Sequence, residues 1–210
     1  MIVFSSVCVR SAALWDLGIA PLFAPYALNK FSKQVAQWRP MPRRSPLMLD
    51  CGAWSQKGGD CFDADRFRQL MQALPFADFV VLPDIVAGGR KSLERSLSWM
   101  GTTTGRIELL PAQDGLAVVD LLPFLGPSVG VFLGGTTSYK LKFMRPFGAA
   151  AKKAGAWFHV GRVNSKRRLE FAAIAGADSV DGSSPAQFPS TARAISKWAK
   201  AIESQAVLPW

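Results

Sequence analysis

Short apolar segments alternate with amphipathic segments along most of the chain. From Ser45 onward the apolar segments predict strands, and the segments whose apolar positions recur with helical spacing predict helices. The predicted strands are 47–50, 78–83, 107–112, 129–133, 156–160 and 178–181. The predicted helices are 64–73, 90–99, 116–123, 141–154, 166–175 and 191–203. This alternation is typical of parallel βαβ units.

Two apolar stretches before Ser45 complete the strand count. Residues 2–9 predict a first strand region and residues 22–26 a second, although prolines interrupt the latter. Eight strands are enough to close a barrel. The sequence therefore predicts an α/β fold, a compact (β/α)8 TIM-like barrel that forms a single domain over residues 1–210. An open, doubly wound sheet is the alternative.

Three residues predict helix boundaries. Ser165 and Ser190 precede the last two predicted helices, where a serine side chain can accept a hydrogen bond from an exposed backbone amide. Gly176 follows the helix over 166–175, at the position where a left-handed residue commonly ends a helix.

Polar side chains stand at the carboxyl ends of four predicted strands: Asp50, Asp84, Gln113 and Asp181. A β/α barrel carries its chemistry at this end, so the four groups should converge on one pocket. A carboxylate beside an amide matches the donors and acceptors on the edge of guanine, and two further carboxylates could act at a glycosidic carbon. The alternative for any one of these acids is a helix cap or a turn.

The chain is strongly basic, with a net charge of +10 over 210 residues and seven tryptophans. This excess of positive charge suggests a polyanionic partner, with tryptophans as candidate stacking residues. A Pro/Arg-rich loop contains Arg39, Arg43 and Arg44, and a second cluster at a predicted helix start contains Arg162, Lys166, Arg167 and Arg168. The alternative is a solvated basic surface.

Cysteine and histidine are too few to predict a metal site. Cys8, Cys51 and Cys61 lack C-x-x-C spacing, and His159 is the only histidine, so we expect no metal and no zinc-binding subdomain. His159 lies in an apolar strand, where a buried structural role is the alternative to a role in the pocket. The apolar start of the chain is too short to span a membrane, and the cysteine content favours a reducing cytoplasm.

The order of the short motifs resembles that of the tRNA-guanine transglycosylases, and more closely their short phage and bacterial DpdA-like relatives that put 7-deazaguanines into DNA. The segment 49–55, Leu-Asp-Cys-Gly-Ala-Trp-Ser, is similar to the family's Asp-Ser-Gly-Gly-Phe-Gln segment. Asp84, Gln113 and the pair Gly134-Gly135 stand where the family has base-contacting residues. The segment 159–162 resembles the one that precedes the family's final strand, and the segment 176–181 resembles the family's Gly-Ile-Asp-Met-Phe-Asp segment.

The resemblance implies roles for these residues. Asp181 would be the nucleophile and Asp50 the general acid/base, and the implied base-binding residues are Asp84, Gln113, Gly134, Gly135, His159 and Gly161. The implied reaction exchanges guanine for a 7-deazaguanine, such as the 7-cyano form, without a cofactor. The family's Cys-x-Cys-x-x-Cys zinc motif is missing from this sequence, so DNA is the expected partner. The alternatives are a tRNA-guanine transglycosylase with the same chemistry and a non-catalytic nucleic-acid-binding barrel. Lys140 ends a glycine-rich loop, without Walker spacing, that we predict to contact nucleic acid. A phage-encoded protein of this kind would work in the host cytoplasm.

Overall fold

A computed structural model describes residues 1–7, 11–30, 45–53, 62–103 and 105–206. The strands are β1 Ile2–Ser6, β2 Ala20–Phe23, β3 Met48–Leu49, β4 Phe79–Val81, β5 Ile107–Ala112, β6 Val129–Leu133, β7 Phe158–Val160 and β8 Ser179–Gly182. The helices are α1 Ser11–Asp16, α2 Ala27–Lys30, α3 Ala64–Ala73, α4 Gly89–Trp99, α5 Val118–Leu121, α6 Thr137–Ala154, α7 Lys166–Ile174, α8 Ser184–Gln187 and α9 Pro189–Ala206.

The eight strands form a closed parallel barrel in chain order. Each strand pairs with the next, and β8 closes the barrel by pairing with β1, where Val3 lies opposite Val180 and Phe4 opposite Asp181. The predicted (β/α)8 barrel is therefore confirmed, and the open sheet is excluded. No helix in the described part of the chain is both long and apolar enough to cross a membrane.

The strands are apolar on both faces because both faces are covered, as expected for a parallel barrel. One face packs inside the barrel, in a buried cluster that includes Phe4, Leu22, Met48 and Phe79. The other face packs against the surrounding helices; Phe67 and Leu70 of α3, for example, share a buried cluster with strand residues. This core fixes the direction of each strand and thereby the position of the side chain that follows it.

Two of the three predicted helix boundaries are confirmed. Ser165 Oγ accepts a hydrogen bond from Arg168 N at 3.4 Å, and Gly176 adopts a left-handed φ of 81° after α7. The capping role predicted for Ser190 is wrong. Helix α9 begins at Pro189, two residues before the predicted start at 191, because the fixed φ of proline suits the first helical position, so Ser190 lies within the first turn.

Candidate active site

One cavity of about 570 Å³ opens at the carboxyl end of the barrel. Asp50 follows β3, Asp84 follows β4, Gln113 follows β5 and Asp181 lies in β8, and all four line this cavity. The parallel strands end at the same rim, so residues that are distant in the chain meet there. The convergence predicted for these four side chains is thus present in the structure.

Asp84 is held by two donors at the back of the cavity. Gln113 Nε2 donates to Asp84 Oδ2, and the thiol of Cys51 donates to Asp84 Oδ1 at 3.2 Å. Ala87 N in turn donates to Gln113 Oε1 at 3.1 Å and fixes the orientation of the amide. Burial raises the pKa of Asp84, while the hydrogen bonds from Cys51 and Gln113 oppose that shift. The arrangement presents a fixed carboxyl and amide to the cavity.

Cys51 acts as a donor within this group and is unsuited to attack. It is fully buried, and burial together with the charges of Asp84 and Asp50 raises the pKa of its thiol well above the ordinary value. A thiol that stays protonated is a poor nucleophile. Its position next to Asp50 therefore serves to orient Asp84.

Asp50 is a carboxyl group that can carry a proton near neutral pH. Burial, then the charges of Asp84 and Asp181, raise its pKa to about 7, whereas backbone amides of Gly52 and Cys51 oppose the shift. An acid with a pKa near the working pH can both donate and accept a proton. The geometry thus makes Asp50 suitable for acid–base chemistry in this cavity.

Asp181 lies on the opposite side of the cavity and is held from the backbone. Arg162 N donates to Asp181 Oδ1 at 2.6 Å, and the side chain keeps 18% of its surface exposed. Arg162 adopts a positive φ of 56°, which a residue with a side chain rarely does. This left-handed turn directs the amide towards the carboxylate, and the Arg162 guanidinium donates to the carbonyl of Gly135.

His159 lies behind Asp181 and is fully buried, so it does not line the cavity. Its ring stacks on Phe132, with centroids 5.1 Å apart and planes 12° apart, and Phe132 does line the cavity. His159 Nε2 lies 3.5 Å from Asp181 Oδ1, and Nδ1 lies 2.8 Å from Ser179 Oγ. His159 can therefore act on a ligand only through Asp181 or Phe132.

The predicted glycines make room for polar side chains. A Cβ on Gly134 would lie 2.5 Å from Gln113 Nε2, and one on Gly135, whose φ is +78°, would lie 2.3 Å from a carboxylate oxygen of Asp114. Both glycines, and also Gly161, line the cavity. The close approach of Gln113 to the β6–α6 loop therefore requires a residue without a side chain.

Asp114 is a residue that the sequence did not single out. Its carboxylate accepts hydrogen bonds from the amide of Thr136 at 2.7 Å and from the hydroxyl of Thr136 at 2.5 Å. These contacts hold the loop that carries Gly134 and Gly135. The signal lies in the adjacent pair Gln113-Asp114, but strand pattern alone does not reveal which loop an aspartate will bind.

Only some of the residues predicted to contact nucleic acid line the cavity. Lys140, Arg162 and Arg168 do, whereas Lys166 pairs with Glu170 at 3.5 Å and Arg167 lies over the Phe171 ring. Arg39, Arg43 and Arg44 lie outside the described residues.

The tryptophans and several polar residues complete the comparison with the sequence predictions. None of the four described tryptophans, Trp15, Trp99, Trp157 and Trp198, lines the cavity. Polar lining residues that the sequence did not single out are Ser6, Tyr26, Thr137, Asn164, Ser183 and Gln187. Ser6 ends β1 and Thr137 begins α6, and the other four lie in the loops and the short helix that follow the strands, where periodicity carries no signal.

No protein-family model matches the chain, and no curated protein is significantly similar to it in sequence. The cavity therefore has to be interpreted from its own geometry. The closed barrel belongs to a class of fold that commonly carries enzymatic sites at the end where these residues meet.

Proposed function

We propose that the chain is a guanine transglycosylase that replaces guanine in DNA by a 7-deazaguanine, such as 7-cyano-7-deazaguanine. The observation that carries the proposal is the contrast between two carboxyl groups in one cavity. Burial and the charges of Asp84 and Asp181 raise the pKa of Asp50 to about 7, whereas Asp181 Oδ1 accepts a hydrogen bond from the backbone amide of Arg162 and lies 3.5 Å from His159 Nε2. Two acids in different surroundings can take the separate roles of acid/base and nucleophile.

The first displacement would transfer the nucleotide to the protein. An oxygen of Asp181 attacks C1′ and forms a C–O bond while the C1′–N9 bond breaks. The electron pair of that bond leaves with guanine, which takes a proton from Asp50. Guanine then departs as a neutral base, Asp50 is left ionised, and the sugar remains covalently bound to Asp181.

The second displacement reverses these steps with a different base. Asp50 removes the N9 proton of the incoming 7-deazaguanine, and N9 attacks C1′ while the bond to Asp181 breaks. Two inversions at C1′ give overall retention. Both carboxyl groups return to their starting states, so the exchange needs no metal, nucleotide cofactor or external source of energy.

Asp84 and Gln113 support recognition of guanine. Asp84 is 6% exposed and keeps its carboxylate at the cavity, where it can accept hydrogen bonds from N1–H and the N2 amino group of the base. Gln113 holds that carboxylate in one orientation. A site built around these acceptors would reject a base that lacks the matching donors, because the buried groups would then be left unpaired.

The charge of the chain supports DNA as the partner, and the chemistry requires that the target nucleotide leave the stacked duplex. The net charge of +10 favours a polyanion. Because C1′ and the base edge are inaccessible inside a stacked duplex, the nucleotide must be flipped into the cavity or presented as a single strand. Cytoplasmic DNA, including that of a host cell, is the corresponding place of action.

The decisive experiment is denaturing electrophoresis of the protein with guanine-containing DNA. The wild-type chain should form a covalent adduct, and Asp181→Asn should abolish both the adduct and the exchange of labelled guanine, with a loss of several orders of magnitude. Asp50→Asn should bind DNA normally but fail to protonate the leaving base. An adduct with Asp181→Asn but none with Asp50→Asn would reverse the two roles.

Two controls complete the experiment. Exposed Asp65 pairs with Arg68 outside the cavity, so Asp65→Asn should retain full exchange. Replacing DNA by tRNA tests the nearest alternative substrate with the same chemistry. Binding of nucleic acid without any adduct or exchange would instead identify a non-catalytic binding protein.

A further inference from the structure

Three cations form one wall of the cavity, next to the acid that we propose as nucleophile. This basic wall consists of Lys140 from α6, Arg162 from the β7–α7 loop and Arg168 from the first turn of α7. Arg162 connects the wall to Asp181 through its backbone amide. The acids Asp50 and Asp84 follow β3 and β4 and line the same cavity, so the cavity has an acidic part and a basic part.

Lys140 is the most unusual member of the basic wall. Its residue surface is only 4% exposed, and its ammonium donates to the carbonyl of Gly161. An ammonium has three donors, and the described residues supply one acceptor. Among the described residues, neither Lys140 nor Arg168 forms an ion pair with a carboxylate. Burying a positive charge in this way is costly unless an anion completes the site.

The electrostatics of Lys140 favour binding of an anion. Burial and the neighbouring charge of Arg162 lower the pKa of Lys140 to about 8, with a further contribution from Arg168. Asp181 opposes the shift but does not cancel it. A bound anion between these cations would stabilise all three charged forms.

We propose that the basic wall of Lys140, Arg162 and Arg168 is a subsite for one phosphate group of the nucleotide whose base occupies the acidic part of the cavity. The position of the phosphate rests on the proposed function. In a nucleotide the 5′-phosphate is joined to the sugar through a single exocyclic carbon, so it stays within one sugar ring of C1′. A phosphate on the basic wall would therefore hold C1′ close to Asp181, and binding energy from a remote group would position the reacting carbon.

This subsite differs in kind from a solvated basic surface. Lys166 and Arg167 lie next to the wall in sequence but are exposed and have partners outside the cavity. On a surface that binds a phosphate backbone without a defined site, exposed cations such as Lys166 and Arg167 would contribute as much to affinity as the residues of the basic wall. The basic wall instead predicts recognition of one phosphate, with a large effect of Lys140 and Arg168 and a small effect of exposed cations.

The first test uses inorganic phosphate and does not depend on guanine chemistry. Thermal unfolding is followed in phosphate and in chloride at the same ionic strength and pH. At a concentration of about ten times its dissociation constant, phosphate should raise the midpoint of the wild-type chain by about 3 °C. Lys140→Met and Arg168→Ala should lose this shift.

Matched controls come from the same region of the fold. Lys142 and Arg145 are exposed residues of α6 that do not line the cavity, so Lys142→Met and Arg145→Ala should keep the phosphate shift. If Lys140→Met fails to fold, the comparison of Arg168→Ala with Arg145→Ala still decides the matter. An equal shift in Arg168→Ala and wild type, or no specific shift in wild type, would overturn the subsite.

The second test uses calorimetry to compare ligands with and without a phosphate group, and so shows whether the bound phosphate belongs to a nucleotide. Wild type should bind 2′-deoxyguanosine 5′-monophosphate or the dinucleotide d(TpG) about tenfold more tightly than deoxyguanosine, and this ratio should approach one in Arg168→Ala. The better of the two ligands tells whether a monoester or a diester is preferred. Equal affinity for all three in wild type would contradict the inference.

The two tests separate this inference from the proposed function. Loss of the phosphate effect in Arg168→Ala without any base exchange by wild type would leave the subsite standing and refute the transglycosylase. Base exchange by wild type with no effect of Arg168→Ala on phosphate or nucleotide binding would refute the subsite alone.

Discussion

His159 Nε2 lies 3.5 Å from Asp181 Oδ1, at the end of a buried chain of hydrogen bonds. Trp157 Nε1 can only donate, and it does so to Ser179 Oγ at 2.8 Å. Ser179 Oγ lies 2.8 Å from His159 Nδ1, and the hydroxyl can donate its proton to that nitrogen while it accepts from Trp157. We infer this direction for the hydrogen bond, which places the imidazole proton on Nε2, the nitrogen that faces Asp181.

This arrangement predicts a single tautomer for the only histidine of the chain. Long-range proton–nitrogen NMR at neutral pH should show a protonated Nε2 and an unprotonated Nδ1. Ser179→Ala removes the donor to Nδ1 and should mix the two tautomers, whereas Ser183→Ala, on the cavity rim, should leave the spectrum unchanged. A protonated Nδ1 in the wild-type chain would show that the direction of the hydrogen bonds is reversed.

The raised pKa of Asp50 predicts that this residue destabilises the fold at high pH. The unfolded group has a pKa of about 3.8 and the folded group one of about 7, so between these values the folded state binds more protons than the unfolded state. The free energy of unfolding should therefore fall as the pH rises from about 4 to about 7. Above pH 7 the full penalty, about 2–4 kcal/mol, is present.

Asp50→Asn removes this titrating group and tests whether its ionisation lowers the free energy of unfolding at high pH. Urea unfolding should show the variant to be more stable than wild type at pH 8, with the difference shrinking towards pH 4.5. Asp65→Asn on the exposed side of α3 should change stability by less than about 0.5 kcal/mol at either pH. A pH-independent difference for Asp50→Asn would contradict the raised pKa.

The barrel could be predicted because each strand is a local apolar run and each intervening helix has its own periodicity. The strand-end residues could be predicted as a group for the same reason, since the carboxyl ends of parallel strands share one rim. Neither conclusion requires knowledge of the contacts between loops.

The remaining features of the site depend on contacts between loops. Asp114 and Gln113 are adjacent in the chain, yet one binds Thr136 and the other Asp84, and no local pattern separates them. The burial of Lys140 is also invisible in the sequence, because α6 begins at Thr137 rather than near 141 and so carries Lys140 into the cavity wall. His159 was predicted to contact the base, but its strand face directs it behind Asp181.

Gly148 provides a test of how closely α6 approaches the end of α7. A Cβ on Gly148 would lie 1.9 Å from the carbonyl oxygen of Ala175, a backbone atom that cannot turn away. Gly148→Ala should therefore destabilise the protein by about 3 kcal/mol or more, measured by chemical denaturation. Gly126→Ala, where the new Cβ meets nothing within 4 Å, is the matched control and should have little effect. Equal stability of the two variants would mean that the helices are further apart.

The pair of Asp84 and Gln113 gives the most direct test of the buried polar group. Gln113→Glu keeps the shape of the side chain but replaces the donor to Asp84 by a second carboxyl oxygen, at a site where both residues are buried. Two buried carboxyl groups in contact cannot both ionise, so one must keep a proton. The variant should therefore lose about 2–4 kcal/mol of stability at pH 8 and recover part of it at pH 5, where the pair can share a proton.

Gln187→Glu is the control for added charge, because Gln187 lines the same cavity but is exposed. It should change stability by less than about 0.5 kcal/mol at both pH values. Both variants place one additional carboxyl group in the same cavity, so a difference between them isolates the contact with Asp84. If Gln113→Glu proves as stable as Gln187→Glu at pH 8, the amide does not donate to Asp84, and the orientation of the proposed base-reading carboxylate must have another origin.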